Sequence, residues 1–236
     1  MDGSFVREII LNAVPTIQDI NGIQCSSKAM SPIMAPVPEK LTVHSLSSVV
    51  QFCQNELEDG KNHVVSVEGP GSVNIYSRLS LGLRQRETFL HAELLMLQFD
   101  FGRKNSLENF IISLQSQFVQ DETTANILAF VGNITAEATQ KNEDDGVTQV
   151  VTVKQGLVKV AEKSVPNPVI LRPFRTFTEI EQPASRFVLR VDPGPYCALY
   201  EADGGAWENT AVMNISEYLN HELAELVADK KITILA

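Results

Sequence analysis

The stretch from residue 144 to residue 191 constrains the fold most, because three strand-like runs follow one another in it. β-Branched and aromatic residues dominate the runs 147–154, 165–177 and 185–191, and Gly, Pro and Asn separate them. Such runs between turn residues are typical of consecutive β-strands. We therefore expect a mostly antiparallel sheet from the second half of the chain.

Helical patterns precede and follow this block. Apolar residues at i, i+3, i+4 and i+7 spacing predict helices after Ser106 and after Asp121, and both residues are suited to N-caps. A further helix is expected after Ser45, and a last one near the C-terminus. The apolar run 93–99 favours a buried strand. Together these patterns predict an α+β fold, with helices from the first half and the C-terminus around the sheet.

The N-terminal part differs in composition from the rest. Residues 4–14 have the spacing of a short amphipathic helix, and residues 21–40 hold three prolines, which favour a linker or an extended arm. We therefore divide the chain into an N-terminal helix with a Pro-rich arm (1–40) and a single α+β domain (41–236). An apolar helix on such an arm can dock on its own domain or on a neighbouring subunit, and we expect a homo-oligomer.

Composition excludes several classes of protein. The formal charge of −10 argues against nucleic acid as a partner, because such binding needs clustered Lys and Arg. No run approaches the roughly 18 apolar residues that span a membrane, so we expect no membrane contact. The three cysteines, Cys25, Cys53 and Cys197, lack C-x-x-C spacing and suit a reducing cytoplasm, which is the host's if the protein is phage-encoded.

The sequence shows none of the common catalytic signatures. The four histidines are scattered without metal-ligand spacing, and Gly-x-Ser-x-Gly, Walker and Gly-x-Gly-x-x-Gly motifs are missing. The acidic run 143–145 can hold a hard cation or form a solvated turn, and we interpret it as a turn. We predict no catalytic residue, no metal ligand and no cofactor, and interpret the chain as a protein that is not an enzyme.

Arginines in the strand block form the candidate ligand-binding face. Side chains alternate along 185–191, which places Arg186 and Arg190 on one face and Ser185, Phe187, Leu189 and Val191 on the other. Arginine forks recognise phosphate or carboxylate groups, and threonines of a paired strand can add hydroxyl donors. The candidate site residues are Arg172, Arg175, Arg186, Arg190, Thr148 and Thr152. The alternative is that each arginine pairs with Glu162, Glu179, Glu181 or Glu201 across strands.

Three local patterns carry a resemblance to a family. The segment 36–41 leading into the Ser45 helix, the segment 118–122 between two helices, and the strand-rich block 166–190 together resemble the YfdQ-like proteins of phages and prophages. The resemblance spans about residues 36–200, and the segment 201–207 departs from it. That family has no established activity, so the resemblance implies a phage accessory protein and supplies no catalytic residue.

Three hypotheses of function follow from these patterns. In the first, the chain is a non-catalytic, homo-oligomeric phage-type accessory protein that binds a partner, such as a host protein, or a ligand. In the second, it sequesters an anionic nucleotide-like small molecule, such as a host-defence signal, on the arginine face. In the third, it is an enzyme with unrecognised catalytic groups; clustered carboxylates with shifted pKa values would favour that one.

Overall fold

A computed structural model describes most of the chain. The described residues are 3–20, 23–28, 39–57, 62–79, 85–96, 98–134, 141–142, 149–155, 159–192, 194 and 196–236. The chain separates into two compact units, Met1–Pro38 and Glu39–Ala236.

The N-terminal unit holds one helix and one hairpin. Its elements are α1 (Gly3–Ala13), β1 (Ile17–Ile20) and β2 (Ile23–Ser26), and the two strands pair antiparallel. Thr16 and Ser27 close the hairpin, because each backbone N–H donates to an oxygen of the other residue at 2.9 Å. The helix predicted over 4–14 is confirmed. In the predicted arm (21–40), residues 23–26 form a strand, and residues 29–38 lie outside the described part of the chain.

Four strands from the first half of the large unit and one from its C-terminal end form a mixed sheet, called here the first sheet. Its order is β14-β4-β5-β6-β3; the central strands run antiparallel, and β14 and β3 lie parallel to β4 and β6. Helices α2, α5 and α6 accompany this sheet, and α2 and α5 supply Leu46, Ile215 and Leu219 to the core beneath it. The bounds are β3 (Leu41–Val43), α2 (Leu46–Asn55), β4 (His63–Gly69), β5 (Ser72–Ser77), β6 (Thr88–Glu93), α5 (Ala206–Glu222), α6 (Ala224–Ala228) and β14 (Ile232–Leu235).

Two strands of the predicted block, β11 and β12, belong to a second sheet, which is antiparallel. Its order is β11-β12-β13-β7, and the helices α3 and α4 cover one of its faces. Three strands in the order β10-β9-β8 make a separate antiparallel sheet. The bounds are β7 (Asn105–Ser106), α3 (Leu107–Ser116), α4 (Glu122–Gly132), β8 (Lys141–Asn142), β9 (Gln149–Gln155), β10 (Lys159–Ser164), β11 (Val169–Leu171), β12 (Ser185–Asp192) and β13 (Tyr196–Glu201).

The α+β class predicted from the sequence is confirmed. The predicted caps are also confirmed, because the side chains of Ser45, Ser106 and Asp121 accept hydrogen bonds from the first turns of α2, α3 and α4. The strand expected over 93–99 is wrong. The chain pairs earlier, in β6, and the Leu95 side chain beyond it is 76% exposed.

Candidate ligand-binding face of the second sheet

Strand β12 divides its side chains between two faces of the second sheet. Ser185, Phe187, Leu189 and Val191 are buried beneath α3 and α4, whereas Arg186 is exposed and Val188 and Arg190 are partly exposed. The predicted alternation is therefore confirmed. We call the helix-covered side the inner face and the other side the open face.

The neighbouring strand β13 places two tyrosines on the open face. Tyr200 lies directly opposite Val188, and Tyr196 lies opposite Asp192. Their side chains remain 40% and 43% exposed, and Ile170 on β11, which pairs with Arg186, is 50% exposed. The exposed and partly exposed side chains of the open face are those of Ile170, Arg186, Val188, Arg190, Asp192, Tyr196 and Tyr200, whereas Ala198 between the two tyrosines is fully buried. Sequence reasoning missed the tyrosines, although their spacing of four residues within a strand places them on one side.

A glycine lies against each of these tyrosine rings. A Cβ atom on Gly194 would come within 2.8 Å of the Tyr196 ring, and one on Gly102 would meet the Tyr200 ring at 3.9 Å. Both glycines have positive φ angles, 112° and 75°, which other residues adopt at a cost. Gly194 therefore brings the backbone close to the Tyr196 ring and restricts where that ring can lie, whereas the spacing at Gly102 is that of an ordinary contact with Tyr200.

Arg175 lies on the inner face, apart from the other arginines. Its guanidinium is 2% exposed, donates to Glu201 at 2.5 Å and donates to the Ser185 hydroxyl. The Trp207 ring covers it, with 3.8 Å between Cζ and the ring centroid. Burial lowers the pKa of Arg175, while the nearby carboxylates, Glu201 first, oppose that shift. The pairing with Glu201 that the sequence left open as an alternative is what the structure shows.

The remaining predicted site residues are Arg172, Thr148 and Thr152, of which the two threonines are described only in part or not at all. Arg172 forms an ion pair with Glu181 at 3.2 Å; the partner is one of the glutamates of the alternative, although neither residue lies in a strand. Thr148 lies outside the described residues, as does the acidic run 143–145. Only the backbone of Thr152 is described, in β9. Of the six candidates, Arg186 and Arg190 are the two that the structure brings together on the open face.

The electrostatics of the open face differ from those of the whole chain. Lys104 lies 3.2 Å from Asp192, the one carboxylate among the described residues of this face. Arg186 has no ion-pair partner in the described part of the chain. This face therefore presents Arg186 as an exposed cation, although the chain as a whole has a net charge of −10.

The face of the first sheet that lies opposite α2 and α5 is chemically different. The Nδ1 atom of His91 lies 2.8 Å from the Asn74 amide oxygen on the adjacent strand. The Tyr76 hydroxyl donates to Glu68, and this hydrogen bond raises the Tyr76 pKa. Polar side chains on this surface are thus paired with one another, which leaves them less available to a ligand.

Neither a metal site nor a membrane-spanning helix is found among the described residues. Within the described ranges, no group of three or more His, Cys, Asp and Glu side chains is placed to hold a metal ion. None of the helices in those ranges is long and apolar enough to cross a membrane. Comparison with family models, curated proteins and solved structures found no match.

Proposed function

We propose that this chain is a non-catalytic, homo-oligomeric accessory protein of phage type that works by binding. The resemblance to the YfdQ-like proteins supports the phage part of this proposal. The N-terminal unit is the observation that supports self-association. It spans Met1–Pro38, and chains of under about 40 residues rarely fold unless a disulfide, a metal or a partner stabilises them.

The described residues of the N-terminal unit show none of the usual means of stabilising so small a fold. Its hairpin has two strands of four residues, and isolated two-stranded hairpins are marginal in water. Its single cysteine, Cys25, forms no disulfide. Apolar side chains of this unit remain open to solvent: Val6 is 43%, Val14 60% and Ile17 64% exposed. Burial of these side chains against the same unit of a second copy would supply the missing core.

A measurement of mass in solution tests this proposal. Light scattering of the full chain at micromolar concentration should give a multiple of the 26.0 kDa chain mass. Val14→Asp and Ile17→Asp should lower the subunit count, because a charge on an apolar interface is costly to bury. Gln18→Asp, on an equally exposed hairpin residue, is the matched control and should keep it. A wild-type mass of one chain would contradict the proposal.

A second candidate is the sequestering of an anionic nucleotide-like ligand. The observation that favours it is the exposed Arg186 on a face that it shares with Arg190. Calorimetric titration of nucleotides and cyclic nucleotides into the wild type and Arg186→Ala tests it. Heat from the wild type that the variant loses would support this candidate, and equal negligible heats would exclude it for this face.

A further inference from the structure

We propose that the open face of the second sheet binds single-stranded nucleic acid, with bases stacking on Tyr196 and Tyr200 and a phosphate bound by Arg186. This inference rests on the proposal that the protein works by binding. The ligand class is single-stranded nucleic acid, and the surface is the open face.

The two tyrosines have the placement of a stacking platform. They lie four residues apart on β13, which corresponds to about 13 Å along a strand. Exposed aromatic rings on a helix-backed antiparallel sheet can each stack a base of an extended strand. Gly194 lies against the Tyr196 ring, so less side-chain freedom is lost when a base stacks on that ring. Val188 and Ile170 add exposed apolar surface beside the rings.

The cations of this face lie beside the rings. Arg186 is two residues from Val188, the residue opposite Tyr200, so it is a diagonal neighbour of that ring at about 7–8 Å. A phosphate attached to a nucleoside stacked on Tyr200 is therefore within reach of its guanidinium. Arg190 lies opposite Ala198, between the two tyrosines. The whole-chain charge argues against nucleic acid, but Asp192 is the one carboxylate among the described residues of the open face, and Lys104 pairs with it.

The shape of the surface favours a strand over a single nucleotide or a duplex. Small ligands are usually held in concave pockets, and a cavity of about 540 Å³ in this chain lies elsewhere, at the junction of α5 and α6. An open sheet instead suits a chain that lies across it. Bases in a duplex are already stacked and cannot meet the tyrosine rings.

Fluorescence anisotropy with labelled strands tests the proposal. The full chain is titrated into a DNA strand and an RNA strand of the same sequence, each of about 12 nucleotides. Both should bind within a few fold of each other, because rings and guanidinium groups contact the bases and phosphates that both strands share. Tyr200→Ala should weaken binding about tenfold, whereas Tyr200→Phe, which keeps the ring, should restore it.

Arginine variants test the electrostatic part. Arg186→Ala should weaken binding and lower the slope of log affinity against log salt by about 0.7, the value for one phosphate contact on a single strand. Arg86→Ala, which removes an equally exposed charge beside the first sheet, is the matched control and should bind as the wild type does.

Three results would overturn this inference: no binding by the wild type, unchanged binding by Tyr200→Ala, or a duplex or ATP bound as tightly as the strand. The two proposals fail separately. An oligomer that binds no strand overturns the ligand assignment alone, and a single chain that binds the strand overturns self-association alone.

Discussion

The two faces of the second sheet carry the same residue type in opposite settings. On the inner face, Arg175 is almost fully buried, with Glu201, Ser185 and Trp207 around its guanidinium. On the open face, Arg186 is exposed beside Tyr200 and Val188. A buried guanidinium is stable only where neighbouring groups contact it, so we assign Arg175 a structural role. Arg186 has no such role in the fold, and its side chain is exposed to solvent.

Removal of the inner arginine should produce the largest effect on stability. Arg175→Ala opens a space beside Trp207 and removes the hydrogen bonds to Glu201 and Ser185, and truncation of a large buried side chain typically costs about 2–5 kcal/mol. Urea unfolding followed by Trp207 fluorescence measures the change. Arg172→Ala, at an exposed ion pair, is the control and should change the free energy of unfolding by about 1 kcal/mol or less. Equal small losses in both variants would contradict the structural assignment of Arg175.

The side-chain amide of Asn167 continues the hydrogen bonding along β12 just before β11 begins, and its loss should have an intermediate effect. The Asn167 side chain donates to the Leu189 carbonyl at 2.9 Å and accepts from the Leu189 N–H at 2.7 Å. Asn167→Ala leaves both backbone groups without these partners, which should cost about 1–3 kcal/mol. Asn220→Ala, at an exposed amide on α5, is the control and should stay within about 0.5 kcal/mol. A melting temperature that is the same for both variants would disprove this contribution.

Features of the second sheet could be predicted from the sequence where they depend on neighbouring residues alone. The alternation along β12 was predictable because a period of two places each side chain by its neighbours alone. The helix caps were predictable for the same reason. The burial of Arg175 was not, because Ser185, Glu201 and Trp207 come later in the chain and only folding brings them to it.

Parts of the first sheet and of the candidate site could not be predicted from the sequence, also for physical reasons. The parallel partners β3 and β14 flank the first sheet from distant parts of the chain, and no local pattern specifies such a pairing. At the site, the arginines were found by their charge. The tyrosines were missed because their role depends on sharing a face with Arg186, which requires the register of β12 against β13.

The buried thiols provide a smaller test, which depends on pH. Burial raises the pKa of Cys197 on the inner face to about 12, and the Asp192 charge adds to the shift; burial alone raises that of Cys53 to about 12. Because these values lie above the ordinary value of 9.0, the stability that the neutral thiols contribute is complete below pH 9 and is lost as the pH rises from 9 towards 12.

A thiol reagent at pH 8 measures this protection. Cys25, which is partly exposed, should react in the native state, whereas Cys53 and Cys197 should react only after unfolding. Cys25→Ser should remove the native-state reaction. Rapid native labelling of Cys197 would show that the inner face is open to solvent.

The most direct test that the inner face serves folding and the open face serves binding measures both stability and binding on one variant, Arg186→Ala. An exposed arginine on the open face should contribute little to folding, so the free energy of unfolding should stay within about 0.5 kcal/mol of the wild type. The affinity for a labelled single strand should fall about tenfold in the same preparation, because a charge-assisted contact is lost. An earlier unfolding midpoint with unchanged affinity would contradict the assignment of the inner face to folding and the open face to binding.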